Sequence, residues 1–337
     1  MSIRMPAEWE KQKYVILAFP DEHTDWRGIL KDAEFIFIEI IKQIIRFENV
    51  LLITRNINKT RKKLEKSGIV TNRIEYYQIE YNDTWARDFA PITVLKNSKI
   101  ELLNFGFNGW GLKFPADLDN QINTELKKSG AFDKFKLRQM PVIIEGGSIE
   151  SDGKGTILTT VKCLLSPNRN PHLTKKQIEN FFAEQLGARN ILWLKNGALA
   201  GDDTDSHIDT LARLCPNDII TYVQCSDKND EHFHELNEME KELKKLKTAS
   251  GRQFKLIPLP MPKAVYDKSG NRLPATYANY LVINNAVLMP VYNDSQNDIK
   301  AAECLKKIFK SREIIAINCL PLIQQHGSLH CVTMQMY

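Results

Sequence analysis

Apolar residues recur at helical spacing in several stretches of the chain. Their period predicts amphipathic helices over residues 33–47, 118–129, 174–186, 230–247 and 298–310. Thr174 and Gln177 stand in capping-box order, which marks the start of the third helix. A weaker helix is predicted over 59–67, and Gly68 would close it.

Short stretches rich in β-branched and aromatic residues lie between the helices. They predict strands over 49–54, 73–79, 99–105, 141–145, 155–160, 190–195, 207–214, 218–224, 312–318 and 328–335. Residues 279–292 predict a hairpin that turns at Asn284 and Asn285. Because two or three strands separate successive helices, the pattern favours a cyclic arrangement of repeated β/α units over a Rossmann sheet or a TIM barrel.

Composition narrows the class of protein. The chain has 337 residues, 43% of them hydrophobic, and no Pro-, Ser- or Gly-rich linker. We therefore expect a globular protein in which residues 1–337 form one domain. The formal net charge of +5 comes from 46 Lys and Arg against 41 Asp and Glu spread along the sequence, which disfavours nucleic acid as a partner.

The apolar runs predict no secretory signal and no membrane span. Charged residues precede any long apolar stretch at the N-terminus, and prolines and asparagines interrupt the longest uncharged run, 274–293. The six cysteines form no CxxC pair, so reduced thiols in the cytoplasm are expected. The sequence leaves homo-oligomerisation open.

The segment GDDTDSHIDT, residues 201–210, crowds four acids and a histidine together. In an extended segment the side chains of Asp203, Asp205, His207 and Asp209 would face the same way. Carboxylates on one face repel one another unless a cation or a proton lies among them. The segment lacks the ligand spacing of a calcium loop, and a helix N-cap would use only one Asp. An organic cation such as a guanidinium accounts for the set best, so no metal is expected.

Two other segments are chemically dense. In 82–92, Trp85 precedes Asp88 by three residues, and a turn with a packing Trp is an equally ordinary interpretation. Glu145 ends a predicted strand and is followed by two glycines, which would let the backbone approach a ligand. A plain strand exit explains the same residues.

The last dense segment, 326–333, contains His330 and Cys331. In a strand, adjacent side chains face opposite ways, so His330 is not expected to be the base for Cys331. A buried, inert cysteine is the ordinary alternative. If Cys331 is reactive, His207 is the candidate acid/base partner.

Together the four segments resemble the agmatine deiminases, of the guanidine-modifying pentein superfamily that also contains the arginine and peptidylarginine deiminases. That family has N-D-x-W-x-R-D, E-G-G, T-D-x-H-x-D and H-C segments in this order. They match residues 82–88, 145–147, 204–209 and 330–331, and the resemblance extends back to MPAEWE at residues 5–10. QQHGSLHC stands where the family has a Gly-rich run before the cysteine.

The resemblance implies an α/β fold, a five-bladed α/β propeller with pseudo-fivefold repeats and an active site at its axis. It implies that Cys331 is the nucleophile, that His207 is the general acid/base, and that Asp88 and Asp209 clamp the guanidinium. The implied reaction is the hydrolytic deimination of agmatine to N-carbamoylputrescine and ammonia, through a covalent cysteine thiouronium and without a cofactor.

Two further residues are placed by the resemblance: Glu145 close to the guanidinium and His207, and Trp85 at the border of the substrate channel. The surplus acids suggest the rest of the substrate, because agmatine carries a terminal ammonium. We expect Asp203 to bind that ammonium, with Asp205 as the alternate. A deiminase of free or peptidyl arginine, an amidinotransferase and a catalytically silent polyamine-binding protein remain alternatives.

Overall fold

The structure is a computed structural model that describes residues 3–337. Its helices are α1 (Leu30–Ile44), α2 (Ile57–Lys66), α3 (Ala86–Phe89), α4 (Gly109–Leu112), α5 (Ile122–Lys128), α6 (Val161–Leu164), α7 (Lys175–Leu186), α8 (Phe233–Leu243), α9 (Ser295–Ile308) and α10 (Leu320–Ile323). Its strands are β1 (Ile3–Arg4), β2 (Tyr14–Ala18), β3 (Asn49–Thr54), β4 (Ile74–Gln78), β5 (Ile92–Lys96), β6 (Lys99–Gly106), β7 (Lys136–Ile143), β8 (Ile149–Ser151), β9 (Thr156–Thr160), β10 (Asn190–Leu194), β11 (Ala212–Cys215), β12 (Ile219–Gln224), β13 (Lys255–Pro260), β14 (Leu281–Ile283), β15 (Ala286–Val291), β16 (Glu313–Asn318) and β17 (Met334–Met336).

Within residues 3–337 the strands form five sheets of three or four strands each. Four sheets share one plan, in which an antiparallel pair is followed by a helical crossover to a parallel strand. In the sheet β14–β15–β16, for example, β15 is antiparallel to β14 and parallel to β16, and α9 makes the crossover. The expected repetition of a β/α unit is therefore present, and five matches the number of blades that the resemblance implies.

The fifth sheet joins the two ends of the chain. Its order is β17–β2–β3–β4, and β17 pairs antiparallel with β2. Strands β2, β3 and β4 are mutually parallel, connected by α1 and α2. The strand that completes the pattern in this sheet therefore comes from the last residues of the chain.

The predicted helices are confirmed, with bounds shifted by a few residues. In α7 the capping box is formed by Thr174 and Gln177, and Gly187 ends the helix with a φ of 71°. A side chain on Gly187 would also collide with the backbone of Ile3, so this turn needs glycine. The hairpin β14–β15 turns at Asn284 and Asn285 as predicted. None of the helices within 3–337 is long and apolar enough to cross a membrane.

Two predicted strands are wrong over residues that matter for the site. Residues 208–210 form a 3₁₀ turn before β11, and Asp205 and Ser206 have positive φ angles of 64° and 67°. The segment 201–210 is therefore not extended, and its side chains do not alternate between two faces. Residues 328–333 are turns, and only 334–336 form a strand. In the first segment, Asp202 accepts from the amides of Thr204 and Ser206, and tertiary contacts such as that of Asp205 with Arg169 add to this local turn.

Candidate active site

A cavity of about 230 Å³ brings distant parts of the chain together. Of the predicted site residues, its lining includes Trp85, Asp88, Asp203 and Cys331. Trp85 is buried, and its ring packs on those of Trp26 and Trp110. Glu145, His207 and Asp209 do not line the cavity. They lie next to residues that line it, as the contacts described below show.

Asp88 lies on the short helix α3 and is fixed by two neutral donors. The Gly147 amide donates to Oδ1 and the Trp110 indole donates to Oδ2, each over 2.9 Å. Burial and the nearby carboxylates of Asp209 and Glu145 raise the pKa of Asp88. No Lys or Arg hydrogen-bonds to this carboxylate within residues 3–337, so it has room for a cation.

The donor Trp110 is held by a strained turn. All four residues of α4 have left-handed φ angles: 66° at Gly109, 56° at Trp110, 85° at Gly111 and 68° at Leu112. A left-handed conformation costs roughly 1–2 kcal/mol for each residue with a side chain. Such strain persists where the surrounding structure enforces it, which is typical of functional sites. Here it aims the indole N–H at Asp88.

His207 lies between two carboxylates. Its Nδ1 is 3.6 Å from Oδ1 of Asp88, and its Nε2 is 3.7 Å from Oε2 of Glu145. Both ring nitrogens are buried without a hydrogen-bond partner among the described residues. Burial alone would lower the pKa of His207, but the charge of Asp88 and the neighbouring Cys163 and Glu145 raise it well above its usual value. The carboxylates beside the two ring nitrogens therefore favour the imidazolium form of His207.

Glu145 is completely buried and carries its own counter-ion. Arg169 Nε donates to both carboxylate oxygens over 2.9 Å, and the thiol of Cys163 lies 3.8 Å from Oε2. Burial opposes ionisation, but the contact with His207 and the charge of Arg169 lower the pKa of Glu145. Glu145 is thus a fixed negative charge beside His207.

The backbone of Gly147 marks the point on which these groups converge. A Cβ atom placed there would lie 2.6 Å from Nδ1 of His207, 3.0 Å from Oδ1 of Asp88 and 3.2 Å from Oδ1 of Asp209. Three polar atoms from two segments, 82–92 and 201–210, therefore surround one small space. Only glycine leaves that space free.

Cys331 and Asp209 are joined by a residue that the motifs do not contain. The Asn279 amide donates to Oδ2 of Asp209 over 3.3 Å, and its oxygen lies 3.5 Å from the Cys331 sulfur. The sulfur is 4.0 Å from Oδ2 of Asp209. Burial and the charges of Asp209 and Asp88 raise the pKa of Cys331 well above its usual value. Without a bound cation the thiol is protonated.

His330, which does not line the cavity, binds the carboxylate of Asp209. His330 Nδ1 lies 2.7 Å from Oδ2 of Asp209. The contact with His330 lowers the pKa of Asp209 in spite of complete burial. The other oxygen, Oδ1, is buried without a hydrogen-bond partner among residues 3–337. His330 therefore binds Asp209 and is not placed as the base for Cys331. The sequence led to the same expectation, but from the alternation of side chains along a strand.

Asp203 and Asp205 face different surroundings. Asp205 accepts from Arg169 over 2.6 Å and from Lys113 over 2.7 Å. Asp203 lines the cavity, and burial together with the charge of Asp202 raises the pKa of Asp203 to about 6. Of the two acids, only Asp203 presents its carboxylate to the cavity.

Sequence reasoning missed several residues that shape the site. Arg169 follows the strand β9 in SPNRNP, whose prolines mark only an ordinary loop. Trp110 and Asn279 lie outside the four dense segments, and Cys163 has no acid or histidine near it in sequence. Their roles arise from tertiary contacts, so a single sequence holds no direct signal for them.

Comparisons with known proteins place the chain in a family. A model of the Porphyromonas-type peptidyl-arginine deiminase family matches residues 4–336. A "Putative agmatine deiminase" of Legionella pneumophila (strain Paris) is 34% identical over 335 residues, covering 98% of this chain and 94% of its own. The solved structure of a C. jejuni agmatine deiminase variant with substrate bound is 39% identical, with a TM-score of 0.92, and the match covers 100% of this chain and 96% of that one.

Two further solved structures extend the comparison. The "Crystal structure of a putative peptidyl-arginine deiminase" is 48% identical, with a TM-score of 0.95, covering 100% of this chain and 99% of that one. A dimethylarginine dimethylaminohydrolase is only 11% identical, with a TM-score of 0.54, covering 96% of this chain and 100% of that one. That distant likeness shows a shared mixed α/β fold.

Proposed function

Because the chain belongs to the Porphyromonas-type peptidyl-arginine deiminase family, we propose that it hydrolyses agmatine to N-carbamoylputrescine and ammonia. One observation carries the proposal: two carboxylates and the His207 imidazole converge beside the backbone of Gly147, and the Cys331 sulfur lies 4.0 Å from one of those carboxylates, that of Asp209. These are the groups that nucleophilic attack on a guanidinium carbon requires.

The first step is binding of the guanidinium by Asp88 and Asp209. Donors of the protein hold both carboxylates: Gly147 and Trp110 hold the two oxygens of Asp88, and His330 holds Oδ2 of Asp209. Their Oδ1 atoms face the space beside Gly147. Two carboxylates that hold a planar cation fix its carbon for attack, which supplies much of the advantage of an intramolecular reaction.

Binding of the cation also activates the nucleophile. The charges of Asp209 and Asp88 raise the pKa of Cys331, and a guanidinium between them offsets those charges. The thiolate then attacks the guanidinium carbon and forms a tetrahedral adduct. The substrate thus promotes the ionisation of the thiol that attacks it.

His207 handles the proton. It is an imidazolium before the reaction, so it protonates the departing ammonia and leaves a covalent S-alkylthiouronium on Cys331. The neutral imidazole then takes a proton from water, which attacks the same carbon and releases the ureido product and the thiolate. Acid/base assistance of this kind contributes on the order of 10²–10⁴-fold. Glu145 holds the imidazolium in place through its charge.

We assign agmatine as the substrate because the cavity offers a second acid. Asp203 is available for the terminal ammonium, whereas Asp205 is already neutralised by Arg169 and Lys113. The carboxylate of arginine would meet the like charge of Asp203, and repulsion of this kind supports a preference of roughly 10²-fold or more for agmatine. Similarity to a solved agmatine deiminase supports the same choice.

A panel of guanidino compounds tests the proposal. Agmatine, arginine, a peptidyl arginine and a simple alkylguanidine are each incubated with the protein, and ammonia and ureido product are measured. We expect agmatine to give the highest kcat/KM. Equal values for agmatine and arginine would overturn the substrate, and no ammonia from any compound would leave the polyamine-binding alternative. An amidinotransferase would release the substrate's alkylamine in place of ammonia, and would form a new guanidine when an acceptor amine is added.

The finer description of the fold belongs to the same proposal. We take the five sheets as the blades of a propeller whose axis carries the site. The shared plan of the sheets and the pairing of β17 with β2 support this arrangement. All six cysteines are free thiols, in keeping with a reducing cytoplasm.

A further inference from the structure

A second cluster of ionisable groups lies behind Asp209, away from the cavity. It contains Glu8, Glu150, Arg213 and His330, with 8%, 5%, 1% and 1% of their surfaces exposed. None of these residues lines the catalytic cavity. Glu8 comes from the MPAEWE segment, which the proposed reaction leaves unused.

Arg213 is the centre of this cluster. Its guanidinium pairs with Glu8 through Nη2 and with Glu150 through Nε. His330 lies beside this ion pair and has a carboxylate at each ring nitrogen. Its Nδ1 is 2.7 Å from Asp209 and its Nε2 is 2.9 Å from Glu8. The imidazole of His330 therefore bridges the buried ion pair and the guanidinium clamp.

We propose that Glu8, acting through His330, is a positioning residue that sets the orientation and charge of Asp209. The inference rests on the proposed function, since Asp209 is part of the substrate clamp. Glu8 is not a catalytic residue, because it touches neither the cavity nor the sulfur.

The geometry explains how Glu8 would act. An imidazole can donate to carboxylates at both nitrogens only in its imidazolium form. Its Nδ1–H fixes Oδ2 of Asp209, so that Oδ1 is left for the substrate. Its charge offsets part of the charge of Asp209. Glu8 favours this state because it supplies the acceptor for the second N–H.

The position of Arg213 explains why the state of His330 depends on the charge of Glu8. Arg213 Nη2 lies 3.0 Å from Nε2 of His330, and a guanidinium only donates. If the charge of Glu8 is removed, the N–H of Arg213 favours a neutral imidazole that accepts at Nε2. Asp209 would then lose the cation beside it, and its larger uncompensated charge would hold the Cys331 thiol in its protonated form.

Glu8 itself is rigidly placed. The Val282 amide donates to its carboxylate over 2.6 Å. The preceding residue, Ala7, accepts a hydrogen bond of 2.9 Å from the hydroxyl of Tyr337, at the other end of the chain. Hydrogen bonds to other parts of the chain therefore fix the position of the Glu8 carboxylate.

The test compares Glu8→Gln with Glu150→Gln. Both variants remove a charge that pairs with Arg213, but only Glu8 contacts His330. Alkylation of Cys331 by iodoacetamide, followed across pH by mass spectrometry, reports the thiolate without requiring turnover. In Glu8→Gln we expect about fivefold slower alkylation near neutral pH, recovering at higher pH. We expect Glu150→Gln to follow the wild type. Equal shifts in both variants, or a loss in Glu8→Gln that is uniform across pH, would overturn the proposal.

A double-mutant cycle supplies a second criterion. His330→Asn keeps a donor near the position of Nδ1 but removes the link to Glu8. If Glu8 acts through His330, Glu8→Gln adds no further change in the alkylation profile or in kcat/KM on this background. Additive effects would contradict the relay. Should Glu8→Gln not fold, His330→Asn alone must still slow alkylation near neutral pH, and a wild-type profile would reject the proposal. Since alkylation needs no substrate, a failure of agmatine turnover would be recognised separately.

Discussion

Each of the two faces of His207 has a carboxylate and a cysteine. The faces differ in their access to the cavity and in the counter-ions of their carboxylates. On the open face, Asp88 lies 3.6 Å from Nδ1, and Asp88 and Cys331 line the cavity. On the closed face, Glu145 lies 3.7 Å from Nε2, and Cys163 is fully buried beside it. Burial raises the pKa of both thiols. Acidity therefore does not distinguish Cys331, the proposed nucleophile, from Cys163, whereas access to the cavity does.

Charge separates the same two faces. On the closed face, Glu145 is neutralised by Arg169, so its interactions are complete. On the open face, Asp88 accepts hydrogen bonds from the neutral donors Gly147 and Trp110, and the cation beside it is His207, which it shares with Glu145. A buried carboxylate that is only partly neutralised is costly, and a substrate cation relieves that cost. The incomplete neutralisation of the open face therefore favours a cationic ligand.

The largest expected effect concerns the two cysteines. Cys331→Ala should lower kcat by about 10⁴-fold or more, because the covalent step is lost. Cys163→Ala should retain activity within about tenfold, since its sulfur lies on the closed face of His207, beside Glu145 and away from the cavity. Ammonia release measures both, and a thermal melt confirms that each variant is folded. A substrate adduct found by mass spectrometry on Cys163 would reverse the roles of the two faces.

The next effect separates the proton donor from the clamp. His207→Asn should lower kcat by roughly 10²–10⁴-fold with a modest change in KM, because it removes proton transfer. Asp209→Asn keeps the shape but removes a charge of the clamp, so kcat and KM should both worsen. Steady-state kinetics with agmatine distinguish the two patterns. Wild-type kinetics in Asp209→Asn would exclude Asp209 from the open face.

These comparisons show what a single sequence contains. The helical period predicts the crossover helices, because each buries one apolar stripe against a sheet. The four dense segments point to Cys331, His207, Asp88 and Asp209, which the structure brings together. The extended form assumed for 201–210 is wrong, because the chain turns at Asp205 to place that side chain on Arg169. A period-two argument cannot detect such a turn.

Other omissions have the same physical origin. Strand β13, residues 255–260, contains prolines that hide its β pattern, yet it pairs in parallel with β12. Asn279 lies between a tyrosine and an alanine in an apolar run, and its importance comes from contacts with Cys331 and Asp209. Long-range polar contacts of this kind leave no trace in local composition.

A smaller effect on activity is expected from a change at Gly147, which lies in the E-G-G segment beside His207. Gly147→Ala would place a methyl group 2.6 Å from Nδ1 of His207, among side chains that can shift. We expect roughly a 10²-fold loss of kcat/KM with little change in Tm, since a displacement of about 1 Å is enough for such a loss. Gly146→Ala is the control, because its methyl group would meet the backbone oxygen of Arg87 at 2.1 Å. That variant should lose stability first, and a Gly147→Ala enzyme with full activity would contradict the convergence described above.

The smallest effect tests how far the open face extends, and it concerns Asp203 and Asp205. Asp203 lines the cavity, and burial with the charge of Asp202 raises the pKa of Asp203 to about 6. Its carboxylate is the form that binds an ammonium. Agmatine affinity should therefore be full at pH 7.5 and should fall as the pH drops below 6, with KM about tenfold higher at pH 5.

Asp203→Asn should remove this pH dependence and raise KM for agmatine at pH 7.5 by about tenfold, because a half-buried carboxylate gives only a modest charge–charge contribution. A simple alkylguanidine without an ammonium is the control substrate, and its KM should be the same in the wild type and in the variant. Asp205→Asn should behave differently, because Asp205 holds Arg169 and Lys113 and does not face the cavity. Its effect should be equal for agmatine and the alkylguanidine. If Asp205→Asn selectively weakened agmatine while Asp203→Asn did not, the ammonium would bind on the side of Arg169, and the boundary between the two faces would have to be redrawn.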